Sequence, residues 1–254
     1  MVIYLILFLL AAFITLYFRL YLLLFPNNRL LILMYHKVEK ASNDDLTVNL
    51  ENLERQFRYL NKKKYFSKSF REINIPAKKS IILTFDDGYK NNFEYLPRLL
   101  EKYDLKATIF ISTKFIQEGY KNYDMMTFED IKNLNQKYFE IALHTHAHEN
   151  FRNVSVDFIE TDLKKNMQIL ASQGIEYSKI LAYPYGKYPK EKHEKMHLFF
   201  ILKKMGINFA VRIGNKVNYF PTNKPYELCR IDIKGRDSLI KFKLKLIFGR
   251  LKLF

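Results

Sequence analysis

The chain has 254 residues, a formal net charge of +16 and one cysteine, Cys229. That length supports one large α/β domain, or two small ones, with a sizeable core; a single thiol excludes an intramolecular disulfide framework. The Lys and Arg surplus is scattered and comes with no helix-turn-helix, zinc-finger or ribonucleoprotein signature, which argues against a nucleic-acid partner. An anionic membrane surface or a phosphate-bearing ligand accounts for the charge equally well.

Val2 to Phe18 carries no charge, and after Arg19 the apolar run resumes to Phe25. Roughly 20 such residues cross a bilayer, and an Arg near one end can snorkel. Tyr17, Phe18, Tyr21 and Phe25 suit an interfacial belt. A cleaved signal peptide needs a basic start and a small-x-small cleavage site, and neither is there. Residues 2–25 are therefore expected to be a single-pass anchor in the cell (inner) membrane. Arg19, Arg29, Lys37 and Lys40 follow the span, with only the terminal amine before it, so the positive-inside rule favours a cytoplasmic-facing domain.

Residues 29–240 form the expected folded domain. Leu30 to Tyr35 is an apolar strand delivering His36 at its end, and Leu50, Leu53, Phe57 and Leu60 mark an amphipathic helix over Val48 to Asn61. Ile81 to Phe85 reads as a buried strand stopped by Asp86-Asp87-Gly88. Phe93 to Tyr103 follows as a helix containing Pro97, then the strand Lys106 to Ser112. Thr127 is a good N-cap for Phe128 to Gln136. The strand Phe139 to Leu143 ends in a histidine cluster. Ser155 opens a helix running to about Gln173, with Gly174 as its stop. Lys179 to Ala182 is a strand leading into Tyr183-Pro-Tyr-Gly186. A helix over Glu191 to Met205 and strands at Asn208 to Arg212 and Tyr226 to Ile233 complete the domain. Residues 241–254 mix Lys and Arg with apolar residues, a basic amphipathic segment suited either to an anionic leaflet or to closing the core.

Strands alternating with helices predict a parallel α/β sheet or barrel, in which reactive groups gather at the C-terminal strand ends. His36, Asp86-Asp87, His144 to His148 and Tyr183 to Tyr185 all fall there. Two adjacent carboxylates at a buried strand end are costly without a cation or donors to compensate. Three histidines within Leu143-His-Thr-His-Ala-His148 supply the complementary metal ligands. His144 and His148 share one face if the segment is a helical turn, whereas His146 pairs with either neighbour if it is extended. Two imidazoles and one carboxylate leave an open tetrahedral position for water, as in catalytic zinc sites.

Thr84-Phe-Asp-Asp-Gly88 followed by His144-Thr-x-x-His148 resembles the polysaccharide deacetylases, carbohydrate esterase family 4 with its nodulation-B homology domain. The resemblance runs from about Leu31 to Ile233 and implies a distorted (β/α) barrel. It makes Asp86 the general base, and Asp87, His144 and His148 the ligands of a divalent metal, zinc before cobalt or nickel. Tyr185 matches the third motif, whose backbone N–H helps hold the oxyanion. The arginine of that motif is Ala182 here, and Arg230 is the candidate to orient the base through space. The fourth motif requires Trp, which the chain lacks. The fifth, L-x-x-H, is met at the N-terminal end by Leu33-Met-Tyr-His36. That resembles the permuted subgroup containing the poly-N-acetylglucosamine deacetylases and makes His36 the general acid.

The expected reaction is metal-dependent hydrolysis of the acetamide of an N-acetylhexosamine. Anchor, charge and orientation together favour a sugar on a polyprenyl phosphate, of the kind used in lipid A modification. The alternative is an exported poly-N-acetylglucosamine or other envelope polysaccharide. A non-catalytic glycan-binding protein is the remote third reading.

Overall fold

A computed structural model of the chain describes residues 2–17, 28–41 and 44–250. Its first element is helix α1, Val2–Tyr17, apolar throughout and with no buried residue. Sixteen residues span about 24 Å at 1.5 Å each, short of a hydrocarbon core of about 30 Å. No helix among the described residues is long and apolar enough to cross a membrane. The expected anchor over 2–25 is therefore not supported by the described residues: α1 covers only its first part and is too short to span, and residues 18–25 lie outside the described residues.

Strand β1 (Arg29–Tyr35) opens the domain, followed by the short β2 (Lys37–Glu39) and β3 (Thr47–Asn49), which pair with each other. That pairing delays helix α2 to Leu50–Lys62, two residues later than the periodicity predicts. Asn49 caps it by accepting from the N–H groups of Glu51 and Asn52. After β4 (Phe66–Ser67) comes β5 (Ser80–Phe85), then α3 (Lys90–Tyr103), which begins three residues before the predicted Phe93. Next are β6 (Ala107–Ile111), the short helices α4 (Thr113–Glu118) and α5 (Phe128–Lys132), β7 (Phe139–Leu143) and α6 (Val156–Ser172). The chain continues through β8 (Ser178–Ala182), α7 (Lys192–Lys204), β9 (Phe209–Ile213), β10 (Asn218–Tyr219), β11 (Leu228–Asp232) and α8 (Leu239–Phe248).

Seven strands close a parallel ring in the order β1, β5, β6, β7, β8, β9, β11 and back to β1. β10 and β4 flank the N-terminal ends of β1 and β5. β1, β5, β6 and β7 are buried along nearly their whole length, so apolar residues face both sides of the sheet instead of alternating with polar ones. The pleat nevertheless sorts their side chains into two clusters. Leu31, Leu33, Leu83, Ile109 and Ile141 face outward onto Leu53, Phe57, Leu96 and Leu163 of the helices. Leu30, Ile32, Ile82, Phe110, Ala142, Ile180 and Val211 fill the barrel, and Phe70 packs in from its N-terminal mouth.

One buried carboxylate holds that plug. Glu140 of β7 accepts from the N–H groups of Phe70 (2.8 Å) and Arg71 (3.1 Å) and from the hydroxyls of Thr108 (2.8 Å) and Ser178 (2.7 Å). Four donors, with the Arg71 guanidinium 3.7 Å away, compensate the charge at the barrel floor.

The C-terminal segment begins its helix at Leu239, and Phe242 and Leu246 bury themselves in the outer core. Through its described residues it closes the core as an ordinary terminal helix; 251–254 lie outside them. Arg29 donates to the carbonyls of Leu246 (3.1 Å) and Ile247 (2.5 Å), a cation on the negative end of α8. Asp237, fully buried, bonds the amines of Lys241 (2.7 Å) and Lys245 and accepts from Lys234 N–H (2.9 Å). Burial alone would raise its pKa, but these bonds hold the carboxyl below the usual range.

A depressed carboxyl stabilises the fold above its unfolded pKa, about 3.9, and loses that contribution as pH falls through its folded value. Wild-type stability to urea should therefore decline below about pH 4. Asp237→Asn should flatten that dependence and cost up to about 3–5 kcal/mol at neutral pH by leaving Lys245 with only the Asp232 carbonyl. Chevron or equilibrium unfolding at pH 7 and pH 3 checks both, and equal acid slopes for the two proteins would contradict the assignment.

Candidate active site

All seven predicted site residues meet at the C-terminal mouth of the barrel. β5 delivers Asp86 and Asp87, β7 delivers His144 and His148, β1 delivers His36, β11 carries Arg230, and Tyr185 stands on the turn after β8. The turns are tight. Asp87 (φ 76), Thr145 (φ 67), His148 (φ 57) and Tyr185 (φ 57) are all left-handed, sparsely populated territory for residues with a Cβ. Gly88 (φ 89) completes the first turn, and a Cβ there would approach Ile116 to 2.9 Å.

The His144–His148 segment is a loop, not the helical turn that would have set the two imidazoles on one face. Its shape comes from outside the segment. Asp162 of α6 accepts from the N–H groups of His146 (3.0 Å) and Ala147 (2.9 Å), and Thr145 accepts from His148 N–H (3.1 Å). His146 is turned away, with Nδ1 3.0 Å from Thr113 Oγ1. Asn166 holds the same Thr113 (3.2 Å) and the Ile111 carbonyl (3.1 Å). Asp162 and Asn166 were not singled out from the sequence. Their signal was available: both lie beside Ile159 and Leu163 on the inward stripe of an amphipathic helix, where polar residues need a reason.

Three ligand atoms converge. Asp87 Oδ1 lies 3.4 Å from His144 Nε2 and 3.3 Å from His148 Nε2, and the two Nε2 atoms are 3.2 Å apart. His144 Nδ1 lies 2.8 Å from the Ala182 carbonyl, so Nδ1 carries the proton and Nε2 presents its lone pair inward. Burial and the neighbouring His144 push His148 down to about 4, which leaves it neutral at physiological pH. Asp87 Oδ1 is buried and has no hydrogen-bond partner. Burial would raise its carboxyl, yet the surrounding imidazoles hold it well below the usual range. Two imidazoles and a carboxylate oxygen without a hydrogen-bond partner, their ligand atoms within 4.8 Å of one another, fit a divalent cation in size and donor type.

Asp86 is held differently. Arg230 grips it with both arms, Nη1 to Oδ1 at 2.5 Å and Nη2 to Oδ2 at 2.6 Å, and Nη1 also reaches Thr84 Oγ1 at 3.2 Å. The guanidinium is 1% exposed and lies 5.4 Å above the Phe110 ring, inside the barrel. Burial opposes ionisation of Asp86, but the Arg230 charge, then that of His144 and the Arg230 bond, keep it below the usual carboxylate range. His36 Nε2 stands 3.9 Å from Asp86 Oδ2, partly open to solvent. The Tyr185 ring is 5.0 Å from that of His148 and 54% exposed, forming one wall of the mouth.

This geometry separates two carboxylates by role: one accepts from a fixed guanidinium, while the other offers an oxygen to a cation. If so, Asp87→Ala or His148→Ala should abolish binding of one zinc or cobalt per chain, whereas Asp86→Asn should retain it. Isothermal titration of metal-stripped protein measures this. Undiminished binding in Asp87→Ala would remove the cluster from consideration.

Residues 74–208 match the family model described as polysaccharide deacetylase. YxkH of Bacillus subtilis (strain 168) is 28% identical over 170 residues, 64% of this chain. The chain spans 59% of that relative's length. The poly-beta-1,6-N-acetyl-D-glucosamine N-deacetylase of Staphylococcus aureus (strain MRSA252) is 26% identical over 249 residues, 85% of this chain and 83% of its own. Among solved structures, Streptococcus pyogenes deacetylase PplD in complex with acetate superposes with a TM-score of 0.74 at 25% identity. The match covers 86% of this chain and 98% of PplD.

Proposed function

The chain belongs to the polysaccharide deacetylase family, and from that premise we propose that it is a metal-dependent N-deacetylase of an N-acetylated envelope polysaccharide of the poly-N-acetylglucosamine kind. The observation that carries the reading is the ionised Asp86, locked by Arg230 beside the Asp87–His144–His148 cluster. An amide has a weak electrophile and a poor leaving group, so its hydrolysis needs a base, a place for the oxyanion and an acid.

A divalent metal held by Asp87, His144 and His148 would supply a Lewis acid and an acidified water. Asp86 takes the proton of the attacking water, and Arg230 keeps it a carboxylate able to do so. The backbone N–H of Tyr185 donates to the oxyanion. His36, 3.9 Å from Asp86, gives a proton to the departing nitrogen. Acetate and a free amino sugar result.

The long relative named for poly-N-acetylglucosamine favours a polymer over the lipid-linked sugar first expected. So does the use this fold makes of two cations that had argued for a cytoplasmic domain: Arg29 caps α8 and Lys37 is buried against Asp44. With those charges committed to folding, the orientation argument weakens, and a domain on the outer side of the membrane with its polymer is our reading. A C-terminal reporter active only outside the cytoplasm would support it, and one active only inside would return the lipid-linked sugar to favour.

The direct test is acetate release from poly-N-acetylglucosamine oligomers by metal-stripped protein given zinc or cobalt. Asp86→Asn should lose about 10²–10⁴ in kcat. Arg230→Met should shift the acid limb of the pH–rate profile upward, because the carboxyl that the guanidinium had depressed regains a higher pKa. Metal-bound wild type that releases no acetate would overturn the proposal.

A further inference from the structure

Of the three histidines in Leu143-His-Thr-His-Ala-His148, His144 and His148 belong to the cluster and His146 does not. His146 is buried, and its polar groups are engaged in turn. Its N–H donates to Asp162 (3.0 Å), and its carbonyl accepts from the Ser112 hydroxyl (3.0 Å) and Lys114 N–H (3.1 Å). Its Nδ1 lies 3.0 Å from Thr113 Oγ1.

The two ligands on either side of it are fixed in different ways. His144 leaves the strand end, where its N–H donates to the Ile111 carbonyl (3.1 Å) and its Nδ1 lies 2.8 Å from the Ala182 carbonyl. The sheet therefore positions it. His148 lies beyond the strand and is reached through left-handed Thr145 (φ 67). It is left-handed itself (φ 57), and its N–H donates back to Thr145 Oγ1 (3.1 Å). Backbone in that region costs about 1–3 kcal/mol per residue and persists where the surroundings over-determine it.

Asp162 of α6 supplies that constraint. Successive N–H groups aimed the same way form a concavity for an anion. The buried Asp162 carboxylate fills it, Oδ2 on His146 N–H and Oδ1 on Ala147 N–H (2.9 Å). One helical turn on, Asn166 donates to Thr113 Oγ1 (3.2 Å) and to the Ile111 carbonyl (3.1 Å), which ties α6 to the end of β6. From the helix that follows β6, the Phe115 ring rests 5.0 Å from that of His148.

We propose that Asp162 is a positioning residue for the metal ligand His148, acting through the backbone of His146 and Ala147, with Thr113 locking His146 in place. The proposal rests on the metal-dependent reading of the Asp87–His144–His148 cluster and adds that one of the three ligands is held by a helix rather than by the barrel. Removing the Asp162 carboxylate leaves two N–H groups without an acceptor and lets the loop relax. His148 then withdraws, while His144 and Asp87 stay.

Isothermal titration of the metal-stripped full chain with zinc, together with the visible spectrum of its cobalt form, tests this. Asp162→Ala, shown to be folded by circular dichroism, should bind zinc about 10–100-fold more weakly than wild type, the range typical of groups that orient metal ligands. Its cobalt spectrum should change as a nitrogen ligand withdraws. Thr113→Val should weaken zinc in the same direction. Asp237→Asn, which destabilises the fold but touches none of these groups, should keep wild-type affinity. Wild-type affinity in folded Asp162→Ala overturns the proposal, and so does an equal loss in Asp237→Asn. If Asp162→Ala does not fold, Thr113→Val decides alone by the same criterion. Failure of the underlying reading looks different: wild type itself binds no zinc, which overturns both.

Discussion

An ion pair sealed inside the barrel is the constraint on which the site depends. Arg230 belongs to β11 and Asp86 to the end of β5, and the two strands meet through β1, which lies between them in the ring. The guanidinium has almost no contact with solvent, so breaking the pair would leave an uncompensated buried charge, a cost of about 3–5 kcal/mol. Barrel closure and the position of Asp86 are thereby one requirement. The other groups inherit their distances from it: His36 and His144 each place Nε2 3.9 Å from Asp86 Oδ2.

The barrel interior separates two buried charges by an apolar middle. Arg230 lies over Phe110, and Phe110 meets Phe70 edge-on at 6.1 Å. Beneath, Glu140 takes its hydrogen bonds from backbone and hydroxyl donors, with the half-exposed Arg71 guanidinium 3.7 Å off. One carboxylate is thus gripped by a buried guanidinium at the mouth, and the other is held chiefly by fixed dipoles at the floor with a more distant, half-exposed Arg71 beside it. The first arrangement keeps a proton acceptor near solvent; the second only fastens a plug. The same chemical group meets two different electrostatic environments at the two ends of one barrel.

The groups at strand ends were legible in the sequence because each follows an apolar run, and a carboxylate or imidazole there interrupts a strong local pattern. Arg230 was legible only as a candidate. Its pairing spans 144 residues, and nothing local in Cys229-Arg230-Ile231 says that the side chain points into the barrel. Asp162 and Asn166 escaped notice because a helix with several outward polar residues hides inward ones. The histidine spacing left a helical turn and an extended strand both open, but hydrogen bonds donated to Asp162 and Thr145 impose left-handed turns that no propensity favours. Helix boundaries moved for similar reasons, as when the pairing of Thr47–Asn49 with β2 delayed α2. At the C-terminus, charge drew attention to lysines while Phe242 and Leu246 did the packing.

A ring of strands has no first member. His36 leaves the earliest strand of the ring and Arg230 sits on the latest, yet the two strands are hydrogen-bonded neighbours, and both residues serve one carboxylate. Position along the chain is therefore only a record of where the circle was cut. Relatives whose polypeptide is opened at another point can assemble the same groups from residues in a different linear order, which is why a histidine expected near one terminus can be supplied from the other without moving in space.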